Sequence, residues 1–436
     1  MLLLIALAGA APGCSTPEKE PEPEAPSLAL RFDGEVPSNV LMISIDTLRR
    51  DHVGRYDGSD RSPTLDRLLS EGFTLDDHRS CASWTWPSVL CALSGRNIAD
   101  LGVMSPSPAY QPPVLPESVV LLSDWLKAEG YATGLVTANS FITESFGLVR
   151  GYDLHNDPTE ERPGTRDIGP LGLEALDALK ATGAPWFLHM HYLDPHDPYA
   201  PPDDYRPDID TSPVRGVELM NHQGVEDIAY QWKQLTADEQ ALVRETLTAL
   251  YNAEIQLLDD ALAVLFEALE ERGDLDDTLV VLWSDHGEQF WEHGSWYHRQ
   301  GLHDEESATI ASFWAKSLLP GSTTAPTTHL DLAPTLMTAL GMAPPDVIVG
   351  DVIGSFGRER PRFAHAMKAD ASLQSVDCEG RRLIGWWNGD REYYLLDEDP
   401  GELNDLYDPT DPEVMALEAL LAPEIERFQT LAAEYE

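Results

Sequence analysis

Two acidic segments of the sequence could together bind a metal ion. Asp46 opens the segment DTLRRDH, and Asp285 and His286 lie in the segment WSDHGEQFWEHG. A carboxylate at the end of one strand and an Asp-His pair at the end of another, with a hydroxyl between them, form an oxygen-rich site with room for a substrate oxygen. Each aspartate alone is more typical of a helix N-cap or a turn, but the combination favours a metal site.

The hydroxyl for such a site is that of Thr85. It lies in the segment SWTWPSVL, which is typical of a loop that runs into a helix, with Pro87 in the first turn. A hydroxyl at this point faces the positive end of the helix dipole and the free N–H groups of the first turn, which favour an alkoxide and an anionic ester. Thr85 could equally be the N-cap of the helix.

Alternating apolar segments predict the elements that would position these residues. Near-continuous apolar runs of strand length are typical of strands buried on both faces, and helical patterns separate them. The strands are predicted at residues 40–45, 131–136, 186–191 and 279–283, and the helices at residues 121–129, 171–181 and 237–272. This alternation predicts an α/β domain with a mostly parallel sheet. Functional residues gather at the carboxyl ends of such strands, where Asp46, Asp194 and Asp285 lie.

Residues 346–436 are predicted to form a small C-terminal α+β subdomain. Short strand-like segments occur at residues 362–367, 382–387 and 391–396, and residues 414–435 have the pattern of an amphipathic helix. The catalytic domain is accordingly assigned to residues 38–345.

The N-terminal sequence predicts export. The first 11 residues are almost wholly apolar and precede Cys14, as in a signal peptide of residues 1–13 that ends before a lipidated cysteine. The run is too short to cross a bilayer as a helix. Residues 14–37 contain PEKEPEPEAP, a charged Pro/Glu tether. We expect a periplasmic or cell-surface protein that meets the membrane only through a lipid on Cys14; the alternative is an apolar N-terminus with a chance cysteine.

The charge balance of the chain excludes one class of partner. Its 29 Lys and Arg residues against 75 Asp and Glu residues give a net charge of −46. Binding to nucleic acid requires clustered basic residues, so nucleic acid is excluded. Most of the acidic residues are expected to form a solvated surface.

Seven segments between residues 39 and 408 resemble, in order, the sulfatase family of the alkaline phosphatase superfamily. They are NVLMISIDTLRRDHVGRY, SPTLDRLLSEGFTLDDH, SWTWPSVLCALSGR, FLHMHYLDPHDPYAPP, LYNAEIQLLDDALAVLFEALEERGDLDDTLVVLWSDHGEQFWEHG, HLDLAPTLMTALGM and YYLLDEDPGELNDLYD. The resemblance implies an alkaline phosphatase-like sandwich, in which helices flank a central, mostly parallel sheet. It also implies a hydrolase of sulfuric or phosphoric esters that uses one divalent cation: Ca, Mg, Mn or Zn.

The resemblance assigns roles to residues around the predicted cation. Asp46, Asp285 and His286 correspond to metal ligands, and Thr85, also a metal ligand, takes the position of the nucleophile. Arg49 matches an arginine of the active site that follows the first metal carboxylate.

The resemblance also suggests residues that handle the substrate. His196, in DPHDPY, matches a histidine that contacts the ester or the leaving oxygen, and His298 aligns with a later anion-binding His or Lys. His293, in EHG, belongs to the family motif and shapes the loop. Asp194, His196 and His303 are candidates for a second metal site, but their spacing favours a single cation.

The sequence departs from the family at the nucleophile. Sulfatases carry Cys or Ser there, then Pro two residues later and Arg two residues beyond; these places hold Thr85, Pro87 and Val89. Neither Cys81 nor Cys91 is followed by the required Pro and Arg, so no formylglycine is expected. Threonine resembles instead the nucleophile of the superfamily's phosphodiesterases and head-group transferases. The two cysteines are either free or joined in a disulfide that braces this loop.

The sequence therefore predicts a two-step ester hydrolase or transferase. Thr85 attacks phosphorus or sulfur, His196 or His298 protonates the leaving oxygen, and water releases the intermediate. Phosphate esters, and phosphodiesters among them, are favoured over sulfate esters. The substrate would be a sulfated or phosphorylated small molecule, glycan or lipid head group. The alternative is an inactive surface protein that binds such esters.

Several tryptophans lie near the site motifs in the sequence. They could form a wall on which a sugar or an aryl group stacks, with Trp86 as a substrate contact, or they could pack in the core. They are Trp84, Trp86, Trp283, Trp291 and Trp296.

Overall fold

The predicted apolar runs lie in the strands of a central sheet in the computed structural model, which describes residues 28–103, 115–209, 214–366 and 372–435. The strands of this sheet and of three smaller sheets are, in chain order, β1 (Asn39–Ile45), β2 (Phe73–Leu75), β3 (His78–Arg79), β4 (Ala132–Thr137), β5 (Leu154–His155), β6 (Trp186–Tyr192), β7 (Thr278–Ser284), β8 (Gln289–Phe290), β9 (Trp296–Tyr297), β10 (Ala311–Trp314), β11 (Gly321–Thr323), β12 (Thr327–Thr328), β13 (Arg362–Ala366), β14 (Leu373–Cys378), β15 (Arg381–Trp386) and β16 (Arg391–Leu395).

Most of the α-helices accompany the central sheet, and the last one packs on the C-terminal sheet. They are α1 (Gly54–Asp57), α2 (Pro63–Glu71), α3 (Thr85–Ser94), α4 (Leu122–Ala128), α5 (Thr165–Lys180), α6 (His222–Gln231), α7 (Ala237–Glu271), α8 (Asp304–Ser307), α9 (Leu332–Ala339) and α10 (Pro412–Tyr435). In the described part of the chain, no helix combines the length and the apolar run that crossing a membrane requires.

The central sheet has eight strands in the order β11-β2-β10-β7-β1-β6-β4-β5. Strands β7, β1, β6, β4 and β5 are parallel, whereas β10 pairs antiparallel with both β7 and β2. Parallel strands are joined by crossovers that place helices on both faces, and two apolar cores result. Helices α3, α4 and α9 cover one face, and helices α2, α5 and α7 cover the other.

Strand β1 shows why its sequence is continuously apolar. Val40 and Met42 point into one core, while Leu41, Ile43 and Ile45 point into the other. A strand between two helical layers buries both faces, so alternation with polar residues is absent over most of its length. The predicted α/β fold with a mostly parallel sheet is confirmed.

The C-terminal region forms a second sheet. Strands β13, β14, β15 and β16 are antiparallel neighbours in chain order, and α10 packs on β14 and β15. The small α+β unit expected from the sequence is present, with one strand, β14, that was not predicted.

The N-terminal predictions fall mostly outside the described residues. The signal peptide of residues 1–13, Cys14 and residues 15–27 of the tether lie there. The last part of the predicted tether packs on the domain: Leu30 is buried, and Phe32 pairs with Leu318. The folded part therefore includes residues 28–37.

Candidate metal and active site

The candidate site lies where neighbouring parallel strands of the central sheet end. Strands β7, β1, β6 and β4 are consecutive in the sheet, so their carboxyl ends meet at one edge. Ile45 pairs with Ser284, and the Asp285 N–H donates to the Ile45 carbonyl over 3.0 Å. This register sets the ends of β1 and β7 level, and Asp46 and Asp285 therefore emerge side by side.

Asp46, Asp285 and His286 form a buried group of possible metal ligands. One ligand atom from each lies within 4.8 Å of the others. His286 Nε2 is 3.6 Å from Asp46 Oδ1 and 3.6 Å from Asp285 Oδ2. Both of these oxygens are buried and accept no hydrogen bond from the described residues. Buried carboxylate oxygens without partners are costly, so this donor set fits a divalent cation.

Backbone contacts hold the Asp-His pair in an orientation that suits metal binding. His286 Nδ1 lies 2.9 Å from the Gly287 carbonyl. Because a carbonyl only accepts, Nδ1 carries the hydrogen, and Nε2 presents its lone pair to the carboxylates. Asp285 Oδ1 accepts the N–H groups of Thr47 (3.1 Å) and His286 (2.7 Å), which leaves Oδ2 for a cation.

The charges of Asp46, Asp285 and His286 also suit a bound cation. Burial and the nearby Asp46 raise the pKa of Asp285 well above the ordinary carboxyl value. Burial also works against the charge of Asp46, but neighbouring histidines, His196 first, lower the pKa of Asp46 below its ordinary value. Burial lowers the pKa of His286, which keeps that ring neutral. A divalent cation would relieve the repulsion between the two carboxyl groups.

Thr85 is the first residue of α3 and does not cap the helix. Trp84 holds the N-cap position with an extended backbone (φ −169°). The Thr85 Oγ1 lies 3.5 Å from Asp46 Oδ2 and 3.5 Å from His286 Nε2, and the residue is 2% exposed. The hydroxyl thus adjoins the possible metal ligands at the positive end of the helix dipole.

Two histidines predicted to handle the ester come together beside the ligand group. The rings of His196 and His298 are 5.2 Å apart, and the His298 ring is 4.5 Å from that of His286. His298 Nδ1 lies 2.9 Å from Glu288 Oε1, and the Tyr297 hydroxyl lies 3.2 Å from His196 Nε2. Burial opposes a charge on His196, but nearby carboxylates outweigh it and raise the pKa of this imidazole.

A comparison with models of protein families identifies the family of this chain. The model of the sulfatase family matches residues 38–342, which is more than half of the chain. The chain belongs to the sulfatase family. Among curated proteins, the arylsulfatase of Clostridium perfringens (strain 13 / Type A) is 27% identical over 255 residues, which cover 53% of this chain and 52% of that protein. The chain spans about half the length of the curated relatives it matches.

Solved structures of other proteins share the fold of this chain. A structure of BT4656 in complex with its substrate D-glucosamine-2-N,6-O-disulfate has a TM-score of 0.72 at 17% identity, over 91% of this chain and 99% of that one. The phosphonate monoester hydrolase SpPMH from Silicibacter pomeroyi has a TM-score of 0.69 at 19% identity, over 90% of this chain and 95% of that one. At these identities the comparison establishes the fold alone.

Asn139 is a site residue of this sulfatase-family chain that was not predicted from the sequence. It follows β4, and its Nδ2 donates to Asp46 Oδ2 and, over 3.2 Å, to Thr85 Oγ1. Its Oδ1 accepts the Phe141 N–H over 2.7 Å, which fixes the orientation of the amide. A polar residue after an apolar strand was the available signal, the same one that drew attention to Asp46.

Arg49 and Trp86, two other predicted site residues, make their described contacts with groups outside the possible metal ligands. Arg49 pairs with Asp51 over 2.8 Å and with Glu292 over 2.6 Å, so its charge is compensated. Trp86 is fully buried and donates its indole N–H to the Phe146 carbonyl over 3.0 Å.

The candidates for a second metal do not come together. Within the described ranges, the one group of three or more His, Cys, Asp or Glu ligands is that of Asp46, Asp285 and His286. Asp194 instead accepts the Thr165 hydroxyl, and His303 Nε2 lies 3.1 Å from Glu392. The geometry therefore favours a single cation.

The tryptophans near the site motifs mostly pack in the core. Trp84, Trp86 and Trp283 are at most 1% exposed. Trp291 stacks on Trp232 with ring centroids 4.1 Å apart. Trp296, in β9, is half-buried and remains a candidate for contact with a substrate.

The structure also shows the surroundings of His293 and of the two cysteines near the nucleophile position. His293 stacks on His303 with centroids 3.6 Å apart, and its Nε2 lies 3.2 Å from Glu305. This pairing fits a role in the shape of the loop. Cys81 and Cys91 are buried free thiols, so no disulfide joins them.

Proposed function

We propose that this sulfatase-family chain is a metal-dependent hydrolase or transferase of phosphate and sulfate esters, that it favours phosphodiesters, and that Thr85 is its nucleophile. The observation that carries the proposal is the position of Thr85 Oγ1, 3.5 Å from atoms of both Asp46 and His286. A hydroxyl beside metal ligands at a helix N-terminus has the surroundings that activate a weak nucleophile.

In the first step, Thr85 Oγ1 attacks phosphorus in line. A bond forms between Oγ1 and phosphorus, the hydroxyl releases its proton to bulk water, and the bond from phosphorus to the leaving oxygen breaks. The leaving oxygen takes a proton from His196 or His298. The Asn139 amide holds Oγ1 by donating to it over 3.2 Å. A divalent cation at the ligand group would supply charge that lowers the pKa of the hydroxyl and offsets the charge of the phosphoryl group.

In the second step, water attacks the phosphorus of phosphothreonine. A bond forms between the water oxygen and phosphorus, and the bond between phosphorus and Thr85 breaks. The histidine that gave its proton to the leaving oxygen takes one from the attacking water, and Oγ1 recovers a proton from bulk water. A sulfated formylglycine is released by its own second hydroxyl, which threonine lacks, so release here requires attack at the transferred group. This requirement favours phosphorus over sulfur.

The test is turnover of bis-p-nitrophenyl phosphate, p-nitrophenyl phosphate and p-nitrophenyl sulfate by wild-type protein and two Thr85 variants. Thr85→Val keeps the shape of the side chain and removes the hydroxyl, so we expect kcat/KM to fall by at least about 10³-fold. Thr85→Ser keeps a hydroxyl and is the matched control, with activity within roughly tenfold of wild type. We expect phosphodiester turnover to exceed sulfate turnover.

Two results would overturn the proposal. Full activity of Thr85→Val would exclude Thr85 as the nucleophile, and faster turnover of the sulfate would reverse the substrate preference. Absence of turnover of all three esters by wild type supplied with Ca, Mg, Mn or Zn would favour the inactive binding protein instead.

A further inference from the structure

Buried polar residues line one face of the central sheet behind Asp46. Ser44 lies on β1, and His189 and His191 lie on β6, all fully buried. The strand register pairs Ser44 with His191, and successive side chains alternate between faces, so these three share a face. Tyr152, which is 7% exposed, packs against the same face. The proposed reaction uses none of these four groups.

The four groups form a continuous hydrogen-bonded chain that ends at Asp46. His191 Nε2 lies 3.3 Å from Asp46 Oδ2, and His191 Nδ1 lies 2.7 Å from Ser44 Oγ. Ser44 Oγ is in turn 2.8 Å from His189 Nε2, and His189 Nδ1 is 3.0 Å from the Tyr152 hydroxyl. Polar groups buried against an apolar sheet face are costly unless each has a hydrogen-bond partner. In this hydrogen-bonded series each of the four side chains has one.

The chemistry of the partners assigns the hydrogens along this chain. The Asp46 carboxylate only accepts, so His191 Nε2 carries a hydrogen, and the Ser44 hydroxyl is placed to donate to His191 Nδ1. Ser44 then accepts from His189 Nε2, and His189 Nδ1 accepts from Tyr152. Burial lowers the pKa of His189 to about 3, so that ring is neutral and has one donor and one acceptor. Every donor therefore points towards Asp46.

The two oxygens of Asp46 are treated differently by their neighbours. Oδ2 accepts hydrogen bonds from His191 and Asn139 and lies beside Thr85. Oδ1 is buried, accepts no hydrogen bond from the described residues, and lies 3.6 Å from His286 Nε2. One oxygen is thus fixed by protein donors, and the other is left for the cation.

We propose that His191, held in its tautomer by Ser44, is a positioning residue for the cation site. It donates to Asp46 Oδ2 and so keeps Oδ1 turned towards Asp285 and His286. The inference rests on the proposed function, because it requires a cation at that point. Partners that orient metal ligands in this way typically contribute 10- to 100-fold to metal affinity.

The test measures Mn²⁺ binding to metal-free protein by isothermal titration calorimetry, without substrate. His191→Leu removes the donor, and we expect the Kd for Mn²⁺ to rise roughly 10- to 100-fold. His191→Gln can still donate to Asp46 from the position of Nε2, and we expect its Kd to stay within roughly threefold of wild type. Ser44→Ala frees the tautomer of His191 and should weaken binding several-fold.

A matched control separates this role from the loss of any buried imidazole. His78 is fully buried, bonds through Nδ1 to the Thr327 hydroxyl over 3.0 Å, and makes no described contact with Asp46. We expect His78→Leu to lower the thermal unfolding midpoint but to keep wild-type Mn²⁺ affinity. If His191→Leu does not fold, the comparison of His191→Gln with Ser44→Ala carries the test.

Three outcomes would overturn the inference. Wild-type affinity in His191→Leu, or in Ser44→Ala where His191→Leu does not fold, would show that the donor does not position Asp46. Equal losses in His191→Gln and His191→Leu would show that the ring only fills space. If wild type and Asp285→Asn bind Mn²⁺ equally weakly, the cation site itself fails, and the proposed function fails with it.

Discussion

At the scale of single residues, Asn139 connects the proposed nucleophile, Thr85, to a possible metal ligand, Asp46. Its amide donates to Thr85 and to Asp46, and the backbone N–H of Phe141 fixes it from behind. Asn139→Ala removes both donors without adding charge. We expect kcat/KM for bis-p-nitrophenyl phosphate to fall roughly 10²-fold, because a misplaced nucleophile loses alignment with phosphorus. Steady-state kinetics at saturating metal measure the effect.

A surface asparagine provides the control for this residue. Asn388 is exposed and donates to Asp390 in a turn, so Asn388→Ala should keep wild-type kinetics. We expect Asn139→Asp to lower kcat/KM more than Asn139→Ala does, because the variant replaces a hydrogen-bond donor with a carboxylate that repels Asp46. Wild-type kinetics in Asn139→Ala would show that the amide does not position Thr85.

At the scale of elements, strand β15 joins the C-terminal sheet to the catalytic part through a buried arginine. Arg382 is 1% exposed and pairs with Asp377 (2.7 Å), Glu402 (2.8 Å) and Asp304 of α8 (2.9 Å). Arg382→Met removes the cation that these carboxylates share: the buried Glu402 loses its described ion pair, while Asp377 and Asp304 keep their ion pairs with Arg79. We expect the free energy of unfolding to fall by roughly 3–5 kcal/mol, measured by denaturant titration at pH 7.

The neighbouring residue on β15 is a matched control. Arg381 points to the opposite face and pairs with Glu413 over 2.7 Å at a half-buried position. Arg381→Met should cost only about 0–1 kcal/mol, since exposed ion pairs contribute little. If Arg381→Met lowered the free energy of unfolding as much as Arg382→Met, the buried ion pairs of Arg382 would not be what holds the C-terminal sheet to the rest of the protein.

The same network predicts how stability depends on pH. Burial opposes the charge on Asp304 and Asp377, but neighbouring arginines outweigh it and lower the pKa of both carboxyls. A lowered pKa in the folded state gives stability that is present above the ordinary carboxyl pKa and is lost as the pH falls through the folded value. The difference in unfolding free energy between wild type and Arg382→Met should therefore narrow below about pH 4. A difference that stays constant down to pH 2.5 would contradict this.

The elements that could be predicted from sequence are those whose burial leaves a pattern. The runs around Met42 and Val280 are apolar on both faces, so β1 and β7 were predicted to within one residue at each end. Strand β14 was missed because Gln374, Ser375 and Asp377 interrupt its apolar character. Gln374 accepts the indole N–H of Trp387, and Asp377 pairs with Arg382 of β15, and a single sequence does not show those partners.

The candidate site was predictable to the same degree. Asp46 and Asp285 follow apolar runs, so their positions at strand ends were clear from the sequence. Asn139 carried the same signal, because it follows an apolar strand, but its partners became clear only in the structure. His191 and Ser44 became visible only through the strand register, because they are polar residues inside segments that predict buried strands. Their contacts depend on which strands are neighbours, and the order β7-β1-β6-β4 is not written in any local pattern.

At the scale of the whole molecule, the net charge of −46 acts against an anionic substrate. Arg49, a predicted site arginine, is paired with carboxylates, and Val89 stands where the family carries another arginine. The positive end of α3 and a bound cation must therefore offset both the charge of the ester and the long-range repulsion of the protein. Added salt screens that repulsion but barely affects the buried site.

The repulsion between the acidic protein and an anionic ester predicts that kcat/KM rises with ionic strength. Between about 0.01 M and 0.15 M NaCl the screening length falls from about 30 Å to about 8 Å, so we expect kcat/KM to increase several-fold and then level off. The increase should be larger for the dianion p-nitrophenyl phosphate than for the monoanion bis-p-nitrophenyl phosphate, which serves as the matched control at constant metal concentration. A fall in kcat/KM with salt would instead indicate an attractive field around the site. An equal rise for both esters would show that salt acts on the protein and not on the encounter with the charged substrate.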